Sequence, residues 1–371
     1  MKELSSRQAG LLIFITTCAM KLLVLPSLII SKTGNSIWLT LLIMFAIDIA
    51  IIFIFLSVLK QFPNLTFKEL CETCLGKIFT KVVFFLLGVL LCFKVSMLIR
   101  ETYEFYTETS YVDFDWLVYL IPLVLIASYA SSKRLRALGR ASEIFIYFIG
   151  ISLVMALLFS FGSADFLSFM PLLKTGISPV FNACFDYAFW FGDFILLFFF
   201  LGNIKVDKNT QKYIIISYIV AIFIVFILSV LHYAIYGSMS TMYKTTIVDI
   251  TEYIPRLNTT GRFTWIIILL WPISLVFSIC TYMNMAVKSF ENCFEIEKDN
   301  SKYVGYCSIA LAVAILIAVN FSQINFMVFI QNYFKYFVFV VQYILPPFLP
   351  LLLVYYSKKE TLKHEKKSLE K

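Results

Sequence analysis

Lys21 stands inside an apolar run from Ala9 to Ile30, and Asp48 stands at the middle of the next run, in FAIDIAI. A later run, PVFNACFDYAFWFGDFILLFFF (Pro179–Phe200), carries Asn182, Asp186 and Asp193, whose helical spacing of four and seven puts them on one face. A charge at the centre of a bilayer costs roughly 2.5–3.5 kcal/mol on insertion scales, so such residues turn into a bundle, take partners and mark functional sites. Lys21 and Asp48 lie at similar depth on consecutive spans, and a Lys21–Asp48 pair is the simplest partnership. The residues alone leave two readings open: a salt bridge locking the first two spans, or a Lys21 that belongs to a ligand or ion site. Gly192 sits beside Asp193, with Trp190 just before it, and glycine permits local unwinding where neighbours re-satisfy the backbone. Pro179–Phe200 therefore reads as a broken helix lining a cavity. The competing reading is a polar seam against a neighbouring helix. Lys94 is expected to snorkel toward Glu101. Trp271, Ser274, Ser278 and Thr281 form a stripe beside Pro272 that lines the same cavity or simply packs. Lys21, Lys94, Asp48, Asp186 and Asp193 sum to minus one when all are ionised, which suits a proton or an organic ammonium, although buried carboxylates also hold protons.

These groups must be positioned by membrane helices. The chain has 371 residues, of which 60% are hydrophobic and 15% charged, with a mean hydropathy of +0.86. A soluble domain has about a quarter of its residues charged. A bilayer span needs about 20 apolar residues, and such runs fall at about 9–30, 37–59, 82–104, 116–131, 143–162, 179–202, 213–236, 262–286, 303–320 and 336–357. The expected fold is an all-α polytopic membrane protein with about ten transmembrane helices. Strands are not expected, because the runs do not alternate apolar and polar residues as barrel strands do. The first run is too long for a cleavable signal peptide and lacks a small-residue cleavage site.

Orientation follows from the basic residues. The N-terminus, the links after even-numbered spans and the C-terminus together carry 22 lysines and arginines, and the links after odd-numbered spans carry 7. Both termini are therefore expected to be cytoplasmic, with Glu101, Glu104, Glu108, Asp113 and Asp115 on the opposite side. The net charge of +8 comes mostly from cytoplasmic links such as SSKRLRALGR and from the basic tail at 358–371, segments that sit against anionic lipid. Nucleic acid is not an expected partner.

Other chemistries are disfavoured. CETC (Cys71–Cys74) has redox or metal spacing but stands alone, on the reducing side. Most other cysteines lie in or near spans, where they behave as small hydrophobes. His232 and His364 lie far apart, and no metal site or cofactor is expected. No hydrolase, zinc-protease or P-loop motif is present, so an enzyme is not expected.

Spans 1 and 6 are both interrupted, by charge or by glycine, and lie five spans apart. Matching interrupted helices in two halves point to an inverted-repeat transporter fold. The sequence also resembles the spore germination permeases, the B subunits of germinant receptors, within the amino acid–polyamine–organocation superfamily. The resemblance rests on LSSRQAGLLIF (Leu4–Phe14), LLVLPSLIISKTGNSIWLTLL (Leu22–Leu42), LKQFPNLTFKELCETCLGKIFTK (Leu59–Lys81), LIRETYEF (Leu98–Phe105), YASSKRLRALGRASEIF (Tyr129–Phe145), PLLKTGISPVFNACFDYAFWFGDFILL (Pro171–Leu197) and TGRFTWIIILLW (Thr260–Trp271). Asp193 stands where the family has Glu. The superfamily usually breaks helix 1 with a small-residue segment, and that position here reads Ala19-Met20-Lys21.

The resemblance implies a single permease-like domain over 1–371, a 5+5 inverted repeat of the LeuT/APC kind (about 9–162 and about 179–357) with helices 1 and 6 broken. It implies a nutrient germinant receptor B subunit of the spore inner membrane, binding a small nutrient, an amino acid, between those helices. The implied partners are a membrane A subunit and a lipoprotein C subunit. The candidate ligand site is then Thr17, Ala19, Met20, Lys21, Asp186, Trp190, Gly192, Asp193, Ser274 and Ser278, beside the Lys21–Asp48 pair. Two other functions fit the same residues: a proton-coupled amino-acid transporter, with Asp48, Asp186 or Asp193 carrying the proton, and a scaffold subunit that binds no ligand.

Overall fold

The structure, a computed structural model, describes residues 4–61, 66–110, 116–131, 133, 135–171, 173–204, 209–252, 264–296, 309–310, 312–315, 328–345, 347–349 and 351–352. Among these the regular structure is helical, apart from an isolated bridge between Leu4 and Ile204. The helices are α1 (Ser6–Lys21), α2 (Leu25–Thr33), α3 (Ile37–Gln61), α4 (Phe67–Leu75), α5 (Lys77–Ser110), α6 (Trp116–Ser131), α7 (Leu135–Ser160), α8 (Ser178–Asp186), α9 (Ile195–Phe200), α10 (Thr210–Tyr236), α11 (Thr246–Glu252) and α12 (Thr264–Phe294). The last, α13, covers 328–345 and includes two π-helical stretches, Ile330–Phe334 and Phe339–Ile344.

Among the described residues, five stretches are long and apolar enough to cross a bilayer: Leu25–Ser57, Lys77–Thr109, Leu135–Ser163, Thr210–Thr241 and Thr264–Phe294. A sixth is the pair Ser178–Asp186 and Ala188–Phe200, bent by 53°. Large apolar side chains such as Phe53, Leu125, Leu158, Phe223 and Leu269 are exposed on several helices, while Lys21, Asp48, Lys94 and Asp193 are buried. That inversion suits a lipid surround rather than water. The chain is an all-helical polytopic membrane protein. The expected span at 303–320 lies largely outside the described residues, as do the tail and the acidic pair Asp113 and Asp115.

Helix 1 begins with a capping box, Ser5 and Gln8 each satisfying the other's backbone N–H. It passes α10 through bare backbone at Gly10, where a β-carbon would stand 2.5 Å from the Ser217 hydroxyl and 3.0 Å from the Tyr213 carbonyl. The helix breaks at Leu22–Val24, three residues later than the expected Ala19–Lys21. Pro26 is the physical reason. It has no N–H to give the Leu22 carbonyl four residues back, and its ring crowds that carbonyl. The α11 amides take over: Ile247 N donates to Leu22 O at 3.2 Å and Thr246 N to Leu23 O at 3.4 Å. Pro26 then starts α2 at a position proline favours.

Helix 6 breaks more fully. α8 stops at Asp186, a short 3₁₀ turn follows over Ala188–Trp190, Phe191 is extended, and Gly192 has φ +78°. A left-handed backbone of this kind favours glycine, which has no Cβ to clash.

Outside the spans, α4 carries the CETC cysteines. Cys71 is buried and Cys74 half-buried, and burial pushes both thiols up from the ordinary cysteine range. The thiolate is the reactive form, so Cys71 is expected to alkylate more than about tenfold slower than a free cysteine at pH 8, with Cys74 the faster of the two. Mass-spectrometric labelling of the folded protein checks the order, and rapid labelling of Cys71 would show a reactive pair.

Candidate functional site

The two helix breaks meet, and Lys21 joins them. Its ammonium, at the last turn of α1, pairs with Asp193 Oδ2 just past Gly192, and both side chains are fully buried. This corrects the Lys21–Asp48 pair expected from sequence. Asp48 Oδ2 instead accepts from the Tyr218 hydroxyl at 2.7 Å and from the Gly192 amide at 3.1 Å. Adjacency in sequence puts Lys21 and Asp48 at similar depth, but unwinding around Gly192 turns Asp193 toward Lys21 and leaves a bare amide facing Asp48. Tyr282 of α12 donates to Asp193 Oδ1 at 2.9 Å, and the Lys21 ammonium lies 5.3 Å from the Phe191 ring centroid.

Unwinding helix 6 frees backbone carbonyls, which in a membrane need partners. Side chains from two other helices supply them. Lys94 of α5 donates to Phe189 O at 2.7 Å and Phe191 O at 2.8 Å. Gln342 of α13 donates to Ala188 O at 2.8 Å and Phe191 O at 2.9 Å. Lys94 thus points inward to the break and is fully buried, in contrast to the snorkelling expected of it. Glu101 is also buried and accepts from Trp190 Nε1 at 3.1 Å. The Lys94→Met variant is expected to leave the Phe189 carbonyl orphaned, costing about 1–3 kcal/mol. A lower thermal midpoint in detergent is the readout, and an unchanged midpoint would show that Lys94 does not hold the break.

The remaining expected site residues divide. Ala19 and Met20 are buried but keep helical backbone, so their peptide groups are not open to a ligand. Thr17 is buried with its hydroxyl unpartnered. Ser274 and Ser278 are buried and donate to carbonyls of their own helix, Trp271 O and Ser274 O, at 2.7 and 2.8 Å. Asp186 does not share a face with Asp193, because the break falls between them. It pairs instead with Lys32 of α2 and with Lys335 of α13, the latter at 2.7 Å. The sequence reading missed Lys32, Lys335 and Gln342. The signal for Gln342 was a lone amide inside an otherwise apolar run.

A multi-pass helical membrane protein with two interrupted helices, their breaks joined by buried charge, has the build of a permease. The chain belongs to the spore permease family of spore germination proteins, whose sequence model matches residues 3–327. It is similar to spore germination protein KB of Bacillus subtilis (strain 168), with 24% identity over 334 residues that cover 86% of this chain and 87% of that protein. This is not a family of enzymes.

Proposed function

We propose that this chain is the B subunit of a nutrient germinant receptor, sensing a small nutrient, an amino acid, in the spore inner membrane. Membrane A and lipoprotein C subunits receive the signal. The supporting observation is the Lys21–Asp193 bond across the two helix breaks. An amino acid carries an ammonium and a carboxylate on one carbon. It can exchange with that pair, its ammonium taking Asp193 and its carboxylate taking Lys21. Binding and separation of the two broken helices are then one event, and the ligand's preference for the separated state sets the size of the shift.

The proposed architecture is a 5+5 inverted repeat, about 9–162 and about 179–357, with α1/α2 and α8/α9 as matching interrupted helices and both termini cytoplasmic. Thr17, Trp190, Gly192, Ser274 and Ser278 complete the proposed site around the pair. Sensing is preferred to transport because the polar groups of the helix 6 break are already held by this chain's own side chains: Lys94, Gln342 and Asp48. In carriers with broken helices the unwound carbonyls coordinate the coupling ion, and here Lys94 and Gln342 already take the Ala188, Phe189 and Phe191 carbonyls.

The test uses spores of a host lacking its own nutrient receptors, with this chain expressed beside its A and C partners. A Lys21→Met/Asp193→Asn variant present at normal level is expected to lose the nutrient response. A retained response would make the pair purely structural and remove this reading.

A further inference from the structure

Beyond the helix breaks, a cavity of about 370 Å³ is lined by Lys32, Pro179, Asn182, Phe185, Asp186 and Lys335. Three elements build it, and each is tied to one of the breaks. α2 follows the break in helix 1, α8 precedes the break in helix 6, and α13 carries the Gln342 that braces Gly192. By the lysine and arginine bias, this end of the bundle lies on the non-cytoplasmic side.

Asp186 is the carboxylate shared by both lysines, one on each oxygen. The cluster therefore carries one excess positive charge. An ammonium has three N–H donors, so each lysine keeps donors beyond the one spent on Asp186. Both lysine side chains and Asp186 are partly exposed, at 34%, 19% and 12%, and so are reachable by a solute. Aromatic faces flank them: the Lys32 ammonium lies 5.3 Å from the Tyr187 centroid, and that of Lys335 5.4 Å from Phe185.

We propose that this cavity is a second binding site, for the carboxylate of a small zwitterionic solute held between Lys32 and Lys335. The solute's ammonium takes an Asp186 oxygen, and the Phe185 ring, which lines the cavity, covers its apolar part. The proposal rests on the sensing reading, for which the site is the place of first capture. No bond is made or broken. The solute exchanges for Asp186 on one lysine and draws α2, α8 and α13 together.

The test is equilibrium binding to the full chain in nanodiscs, carrying Lys21→Met/Asp193→Asn so that the helix-break pair takes no solute, with radiolabelled alanine and propionate as probes. These differ only by the ammonium group. Both are expected to bind saturably, and Lys32→Gln and Lys335→Gln each weaken both by roughly tenfold or more. Asp186→Asn gives opposite signs: propionate binds more tightly because its internal competitor is gone, and alanine more weakly because its ammonium partner is gone. The partly exposed cluster tolerates this exchange, and a normal thermal midpoint verifies the fold. The proposal is overturned if the folded protein binds no propionate, if neither lysine matters, or if Asp186→Asn weakens propionate. Propionate binding that depends on both lysines supports the site even in a chain whose spores ignore nutrients, a result that removes only the sensing reading.

Discussion

Asp193→Asn is expected to destabilise the protein by about 3–5 kcal/mol, because it strands the buried Lys21 ammonium without its carboxylate. Asparagine still offers Tyr282 an acceptor, so the loss reports on the ion pair rather than on the tyrosine hydrogen bond at 2.9 Å. Adding Lys21→Met removes the stranded charge as well. Replacing both members of a buried pair by groups of similar volume is often neutral or even stabilising, so the double variant should regain most of the lost stability. Thermal unfolding in detergent, read as a double-mutant cycle, separates the terms. Recovery in the double variant together with a lost nutrient response assigns the pair to sensing. A double variant as unstable as Asp193→Asn would show that the two residues do not act as a unit.

Gly192→Ala is expected to cost about 2–5 kcal/mol from two sources, a strained backbone and an overpacked neighbour. At φ +78° an alanine β-carbon is unfavourable in itself, and the Gln342 side chain already fills the space it would enter. Displacing Gln342 also takes its amide from the Ala188 and Phe191 carbonyls. Low yield of folded protein and a reduced thermal midpoint are the readouts. Gly192→Ala/Gln342→Ala removes the overlap but keeps the backbone strain and should recover only part of the loss. Wild-type behaviour of Gly192→Ala would contradict the left-handed turn.

Sequence carried the membrane class and several helix positions, because long apolar runs bounded by polar links leave little choice. The predicted span 116–131 coincides with α6 (Trp116–Ser131), and 37–59 differs from α3 (Ile37–Gln61) by two residues at one end. It also marked helix 6 for unwinding through Gly192. What it misplaced depended on the angular position of side chains around the helices. Lys21 and Asp48 share depth, yet the partner of Lys21 lies 172 residues away, and only packing of α1 against the unwound helix 6 decides that. Asp186 and Asp193 share a face only on a continuous helix, and the break that the sequence itself suggested separates them. The resemblance pointed to Ala19–Lys21 for the break in helix 1, whereas the helix opens at Leu22–Val24. The actual cause, Pro26 acting on Leu22, was legible in the same stretch. Lys32 and Lys335 read as link residues because their role depends on Asp186, which neither neighbours in sequence.

The most direct measurement of the central claim is labelled amino-acid flux into proteoliposomes containing this chain alone, with and without an inward proton gradient. The expected result for a sensing subunit is no accumulation across a broad amino-acid panel, from protein shown to be folded and inserted. Gradient-driven accumulation that disappears on Asp48→Asn or Asp193→Asn would contradict it and make the buried charges a proton path in a transporter.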